Sequence, residues 1–335
     1  MVRVTWARAA WSQAERVVLE SSAGTVTQFT YDSGVEGLRV RTDKAEAVIL
    51  PFQGQQIWRL TLDGEPVTMH TMWDEPVPTS VFAQSYGPFL MHCGLTWMGA
   101  PGPGERWNHG ELPCAVYSSA WVEVDEAAGT LTVGGEYENR MSHGYGYRFT
   151  PRLVFRTGAA AVEVSTQIEN LRRSPLSWQY LTHVNWVYWP GARLEQDVAM
   201  DADHVSLHPA GSQDEATAAY TASLAESPDR GNVLPDHDVV PEYVAVLTPE
   251  ADADGWAHFA MVRADGVRAR VSYDTTELPR AVRWVSRTPD EQAAGFCMPA
   301  TGHHLGRAQS DADGLTRTLP GLASTTIRLR MGLER

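Results

Sequence analysis

Short runs of alternating apolar and polar residues, separated by turn residues, recur along almost the whole chain and constrain its fold most strongly. The segment GQQIWRLTLDGEPVTM (54–69) alternates on both sides of Asp63-Gly64, a dipeptide typical of a two-residue hairpin turn. The same form recurs in SAWVEVDEAAGTLTVGGEYEN (119–139), YGYRFTPRLVFRTGAAAVEVSTQIENL (145–171) and STTIRLRMGL (324–333). Because side chains alternate between the two faces of a strand, this pattern predicts many antiparallel strands.

Helical patterns are scarce by comparison. The segment WSQAERVVLE (11–20) is the best candidate for a short helix, and residues 212–230 fit either a turn or two of helix or an exposed loop. The sequence therefore predicts an all-β fold, a large antiparallel sandwich. We expect a single domain over 1–335, with an N-terminal extension of strand and short helix at about 1–35.

Composition narrows the class of function. Hydrophobic residues make up 43% of the 335 residues and charged residues 20%, which is enough apolar material for a sizeable core. The formal net charge of −14 argues against nucleic acid or an anionic membrane surface as a partner. Because the sequence shows neither a leader-like segment nor an apolar run long enough to span a membrane, we expect a soluble cytoplasmic protein. Nothing in the sequence specifies an oligomeric state.

Three segments combine histidine with polar and aromatic neighbours. They are FLMHCGL (89–95) with His92, WNHGELP (107–113) with His109, and YLTHVNWVYW (180–189) with His183. On a strand, His183 and Asn185 would share one face and Trp186 would lie on the other. The three cysteines are widely spaced and form no CxxC pair, which excludes a zinc ribbon.

Polar side chains beside flat aromatic rings are typical of a carbohydrate site. A pyranose offers its hydroxyls to His, Asn, Arg and Glu, while its C–H face packs on an aromatic ring. Each of these residues also has an ordinary structural explanation, because tryptophans of a β-sandwich usually belong to the core.

At these segments the chain resembles the galactose mutarotase-like superfamily, and within it the bacterial aldose 1-epimerase-related branch. The motifs that carry the resemblance occur in the family's order: MHCGLTWMGAPG (91–102), NHGELP (108–113), GEYENRMSHGYGYRF (135–149), VEVSTQIENLRRSPLSWQYLTHVNW (162–186) and LPRAVRW (278–284). The resemblance implies a β-supersandwich, in agreement with the strand pattern.

The resemblance also implies an activity, the interconversion of the α and β anomers of a free or modified sugar by acid/base ring opening. It places His183 as the acid and His109 as a residue for binding and charge stabilisation. No cofactor is expected. The residues expected to contact the sugar are Asn108, Glu111, Asn185, Trp107, Trp186, His92, Arg148 and Trp284.

The chain departs from the family's pattern at the general base. The family has a glutamate late in the chain, and alignment of the prolines in AAGFCMPATGHH (293–304) puts Met298 at that position. Methionine cannot accept the proton. Glu111 also stands where the family has an arginine. A substitute base could come from Asp290, Glu291, His303 or Glu111.

Two other functions therefore remain open. A lyase or isomerase on the same scaffold would use a divalent metal in place of the lost carboxylate, with His143, His303 and His304 as the added ligands. Alternatively, the chain would be a non-catalytic carbohydrate-binding protein. The methionine at the base position favours this alternative, because it cannot take a proton from a sugar.

Overall fold

The computed structural model describes residues 1–101, 108–208 and 212–335, which form 22 strands and little helix. In chain order the strands are β1 (Val2–Ala7), β2 (Arg16–Ser21), β3 (Gly24–Thr30), β4 (Glu36–Arg41), β5 (Ala45–Ile49), β6 (Ile57–Leu62), β7 (Glu65–Pro66), β8 (Leu90–Leu95), β9 (Ser119–Asp125), β10 (Thr130–Arg140), β11 (Gly146–Arg156), β12 (Ala161–Asn170), β13 (Leu176–Val184), β14 (Arg193–Gln196), β15 (Val205–Leu207), β16 (Val239–Leu247), β17 (Trp256–Val262), β18 (Arg268–Asp274), β19 (Arg280–Arg287), β20 (Gln292–Ala300), β21 (Arg317–Leu319) and β22 (Ser324–Glu334). The helices are α1 (Glu215–Glu226), α2 (Arg307–Ala312) and the short 3₁₀ turns Arg8–Ala10, Phe82–Gln84, Leu112–Cys114 and Pro228–Asn232.

The strands form two large sheets. The first has nine strands in the order β1-β9-β10-β11-β12-β22-β18-β17-β14. The second has 13 strands, with β15-β16-β19-β20-β13-β8-β6-β5-β4-β3-β2 along its path and β7 and β21 paired at its side. The pairings between named strands are all antiparallel within the described residues. The predicted all-β supersandwich is confirmed.

The alternating pattern places one face of each sheet in a shared core. On β22, Ile327, Leu329 and Met331 are buried, while Arg328 and Arg330 between them are exposed. Inward side chains of both sheets meet in one continuous apolar cluster. The predicted strands therefore follow from burial of the apolar face at period two.

Strand β13 is buried on both of its faces, because it lies between β20 and β8 in the middle of the larger sheet. Tyr180 and Val184 join the main core between the sheets. Leu181 and His183 point the opposite way and line a pocket on the other face of the sheet. The position of β13 therefore determines which of its side chains reach the functional site.

Three local predictions have different outcomes. Asp63 and Gly64 have φ angles of 49° and 78° and join β6 to β7, which confirms the hairpin turn. Residues 215–226 form α1, whose first turn is capped by the Asp214 side chain accepting from the Thr217 N–H at 2.8 Å. The helix predicted over residues 11–20 is wrong: Val17 and Leu19 belong to β2 and pair with β3, because the β-branched run gains more from sheet pairing.

Within the described parts of the chain, no helix is both long and apolar enough to cross a membrane.

Candidate active site

A pocket of about 400 Å³ opens on the larger sheet, on the face opposite the main core. Its floor comes from strands that lie side by side, β16, β19, β20 and β13. Residues two apart on each strand share the floor, such as Val282 and Trp284 on β19, because a strand repeats every second residue. Loops around Phe82, His109 and Glu291 form the walls.

Asn185 fixes the tautomer of His183. The Nδ2 amide of Asn185 donates to the Pro88 carbonyl at 2.9 Å, so its Oδ1 is the atom that faces His183. That oxygen lies 2.9 Å from Nδ1 of His183 and can only accept, which places the imidazole proton on Nδ1. The Nε2 atom of neutral His183 therefore carries a lone pair and is able to accept a proton.

His109 has the opposite tautomer. The Gly99 backbone N–H donates to Nδ1 of His109 at 3.3 Å, so the proton of the neutral ring lies on Nε2. The loop is fixed by two further bonds, from the His109 N–H to the Gly99 carbonyl at 2.8 Å and from the Gly94 N–H to the His109 carbonyl at 2.9 Å. The Nε2–H group of His109 is thus a hydrogen-bond donor.

Both histidines line the pocket close to each other. Their ring centroids are 5.3 Å apart and the rings are nearly perpendicular, at 83°. Burial lowers the pKa of His183 to about 4, and the hydrogen bond with Asn185 offsets part of the fall. Burial, followed by the neighbouring His183 and His304, lowers the pKa of His109 well below its ordinary value. The site therefore holds two neutral imidazoles at neutral pH.

Aromatic rings surround the pair. The Phe82 ring lies 4.6 Å from His109, and the Tyr86 and Trp284 rings lie 5.5 and 5.6 Å from His183. Phenylalanine and tryptophan offer flat apolar surfaces on which the C–H face of a sugar ring can pack.

Two carboxylates also line the pocket. Glu242 on β16 accepts a hydrogen bond from the Nε1–H of Trp284. Glu291 lies in the turn between β19 and β20, where its backbone N–H donates to Oγ1 of Thr288 at 3.0 Å. Burial, and then the nearby Asp290, raises the pKa of the Glu291 carboxyl.

Comparison with models of protein families shows which family the chain belongs to. The model of the family described as a domain of unknown function, DUF4432, matches residues 32–333. The chain belongs to the DUF4432 family. No curated protein matches it.

Solved structures similar to this DUF4432 protein have the fold of galactose mutarotases. A candidate aldose 1-epimerase from Klebsiella pneumoniae superimposes with a TM-score of 0.83 at 17% identity, over 99% of this chain and 91% of that one. A galactose mutarotase-like protein from Clostridium acetobutylicum gives 0.61 at 13%, over 92% and 98%. A candidate aldose 1-epimerase from Escherichia coli gives 0.54 at 12%, over 96% and 99%. At these identities the likeness establishes the fold.

The structure brings five of the predicted site residues to the pocket of the DUF4432 protein. They are Asn108, His109, His183, Trp284 and His304. Met298 also lines the pocket. The position at which the resemblance to aldose 1-epimerases led us to expect a glutamate therefore faces the site. Trp107 lies outside the described residues.

Two predicted contacts, Glu111 and Asn185, support the site from behind without lining the pocket. The half-buried Glu111 carboxylate accepts from Thr96 Oγ1 and from the Tyr147 hydroxyl, each at 2.5 Å, and desolvation raises its pKa. Since these donors occupy it, Glu111 anchors the loop that carries His109. Asn185 orients His183 through the bond described above.

Three other predicted contacts lie away from the pocket. His92 is buried beside Tyr180, whose hydroxyl is 2.6 Å from its Nδ1, and burial lowers its pKa to about 3. Trp186 belongs to the core, packed between aromatic rings. Arg148 forms ion pairs with Glu138 and Glu169 on the surface of the other sheet. The side-chain directions of His92 and Arg148 are determined by β8 and β11, and that of Trp186 by the segment after β13, none of which the residue type reveals.

The histidines considered as metal ligands do not form a metal site in the described residues. His143 is exposed in the turn between β10 and β11, and Nε2 of His303 lies 2.9 Å from the Asp313 carboxylate. In the described ranges, no group of three or more His, Cys, Asp or Glu side chains has metal-binding geometry. Of the four substitute bases considered, Glu291 is the one that lines the pocket, since Asp290 is exposed and Glu111 and His303 have other partners.

Sequence reasoning missed Phe82, Tyr86 and Glu242. The two aromatic residues lie in a loop with no strand or helix pattern strong enough to place them. Glu242 had a signal that was available: it is a lone charge in the otherwise apolar strand VVPEYVAVL. A charge in such a strand either faces solvent or lines a site.

Proposed function

We propose that this DUF4432 protein is an aldose 1-epimerase that interconverts the anomers of a free sugar with His183 and His109. The observation that carries the proposal is the pair of neutral imidazoles with opposite tautomers, 5.3 Å apart at one pocket. One imidazole offers a lone pair and the other offers an N–H, which are the two functions that ring opening requires.

In the proposed reaction, Nε2 of His183 takes the proton from the anomeric hydroxyl. The carbonyl forms as the bond between the anomeric carbon and the ring oxygen breaks. The Nε2–H of His109 donates a hydrogen bond to the negative charge that develops on the ring oxygen. The proton on His183 then passes to that oxygen, which gives the open aldehyde. Rotation of the aldehyde and reversal of the steps produce the other anomer with no net gain or loss of protons.

This assignment supplies the base that the sequence lacks at Met298. His183 acts as base in ring opening and as acid in protonation of the ring oxygen, and the acid role is the one expected from the sequence. A low pKa suits the resting state, because Nε2 is free of its proton at neutral pH.

Two-dimensional exchange NMR on a panel of free aldoses tests the proposal. The wild-type protein should accelerate anomer exchange for at least one sugar, and His183→Asn should slow that exchange by a factor of about 100 or more. The matched control is His143→Asn, an exposed histidine in a turn with a φ of 57° that asparagine tolerates. Sugar binding without faster exchange would refute the epimerase and favour a carbohydrate-binding protein.

A further inference from the structure

The lining of the pocket of the DUF4432 protein has an excess of negative charge. Glu242 and Glu291 both line it, and both lie close enough to Tyr86 to raise the pKa of its hydroxyl, after burial. Among the described lining residues there is no lysine or arginine. The histidines do not compensate, because burial lowers the pKa of each one, including that of His304 to about 4.

The two carboxylates differ in their surroundings. Glu242 receives the indole N–H of Trp284. The Glu291 side chain makes no hydrogen bond or ion pair with the described residues, although its backbone is held in place by Thr288. A partly buried carboxylate without a partner is stabilised when a cation binds beside it.

Aromatic rings flank the same part of the pocket. The centroid of the Tyr86 ring lies 5.2 Å from that of Phe82 and 5.5 Å from that of Trp284. Tyr86 is 8% exposed, and its hydroxyl has no hydrogen-bond partner in the described chain. Ring faces together with carboxylates form the surroundings that attract an ammonium group, and the Tyr86 hydroxyl is an additional polar contact for a ligand.

We propose that the substrate is an amino sugar, an aldose whose ammonium group lies between Glu242, Glu291 and the aromatic rings. This proposal rests on the proposed function, because it names the class of sugar that the same site would take. The same charges would repel a sugar phosphate or a uronic acid, since an anion would enter a partly desolvated pocket that already carries negative charge.

Binding measurements separate the charge of the sugar from its shape. Calorimetry would compare 2-amino-2-deoxy aldoses in their protonated form with the neutral parent aldoses, their N-acetyl derivatives and the matching uronic acids. For the wild-type protein we expect the amine to bind about tenfold more tightly than the parent aldose. We expect the uronic acid to show no measurable binding. Higher salt should reduce the preference for the amine.

Isosteric variants test the two carboxylates. Glu242→Gln keeps an oxygen that accepts from Trp284, and Glu291→Gln removes a charge that has no partner, so both variants should fold. Each should reduce the ratio of amine to parent affinity toward one. The matched control is Asp290→Asn, which removes the same charge from the adjacent exposed residue and should keep the ratio.

The results distinguish the failure of the two proposals. Equal or tighter binding of the parent aldose or of the uronic acid would overturn the amino-sugar proposal, as would a ratio that the glutamine variants leave unchanged. Tight binding of the amine without faster anomer exchange would leave it standing and refute the epimerase. Faster anomer exchange of neutral aldoses with no preference for the amine would support the epimerase and overturn the amino-sugar proposal.

Discussion

At the scale of single residues, the proposed chemistry depends on hydrogen bonds to the Nδ1 atoms of two histidines. Asn185 places the proton of His183 on Nδ1, and the Gly99 N–H leaves the proton of His109 on Nε2. The Pro88 carbonyl fixes the orientation of the Asn185 amide, so a backbone oxygen behind the pocket determines which ring nitrogen of His183 is left without a proton. Asn185 is therefore a positioning residue.

Replacement of Asn185 by leucine tests that role. Asn185→Leu should lower kcat for anomer exchange by a factor of about 10 to 100 and change KM little, because the ring remains but its tautomer is no longer fixed. ¹⁵N NMR of the histidine rings should show a mixture of tautomers at His183. An unchanged kcat in the leucine variant would contradict the assignment.

At the scale of elements, the segment that carries His109 is held in a strained but well-anchored shape. His109 and Gly110 have φ angles of 61° and 76°, in the left-handed region. A Cβ at Gly110 would lie 2.5 Å from the carbonyl oxygens of Gly94 and Trp97, so the loop contacts the end of β8 without space for a side chain. The carboxylate of Glu111, the residue after Gly110, accepts hydrogen bonds from the Thr96 and Tyr147 hydroxyls and so anchors the loop.

Gly110→Ala should therefore displace His109. We expect urea unfolding to show a loss of about 1–3 kcal/mol in the free energy of unfolding. Exchange NMR should show slower anomer exchange. The matched control is Gly158→Ala, because Gly158 has a φ of 78° with no atom within 4 Å of its Cβ position. The control should lose about 1 kcal/mol from backbone strain and retain exchange. Equal loss of exchange in both variants would disprove local displacement.

At the scale of the whole molecule, the sandwich keeps several histidines neutral in its interior. Burial lowers the pKa of His92 to about 3 and the pKa of His183 and His304 to about 4. In the unfolded chain the same rings take up protons below about pH 6.5. The folded state resists protonation, so its stability is lost as pH falls from about 6.5 to about 4.

His92→Gln isolates one such contribution away from the pocket. Glutamine can still bond to the Tyr180 hydroxyl but does not ionise, so the variant should lose less stability on acidification. We expect its drop in unfolding free energy between about pH 7 and pH 4.5 to be smaller than that of wild type by about 2–3 kcal/mol. Exposed His237→Gln is the control and should follow wild type. Parallel curves for all three proteins would contradict the prediction.

The sequence by itself determined the strands and the pair of histidines. Alternation at period two defines one buried face in each strand, and the motifs around His109 and His183 mark residues that the structure brings to one pocket. Through the resemblance to aldose 1-epimerases, it also marked Met298 as a position where a glutamate is expected. The strand pattern is local, because it depends on residue type and short spacing alone, whereas the resemblance to a known family identified the two histidines and Met298.

Tertiary structure alone decided the other half of the site. Tyr86 and Glu242 come together only after loops and strands from distant parts of the chain pack around β13. The side-chain directions of Trp186 and Arg148 depend on which face of each sheet packs against the core. The tautomer of His183 depends on the Pro88 carbonyl, which is distant in sequence. Burial then determines that the histidines are neutral, since a pKa depends on the surroundings of a side chain and not on its identity alone.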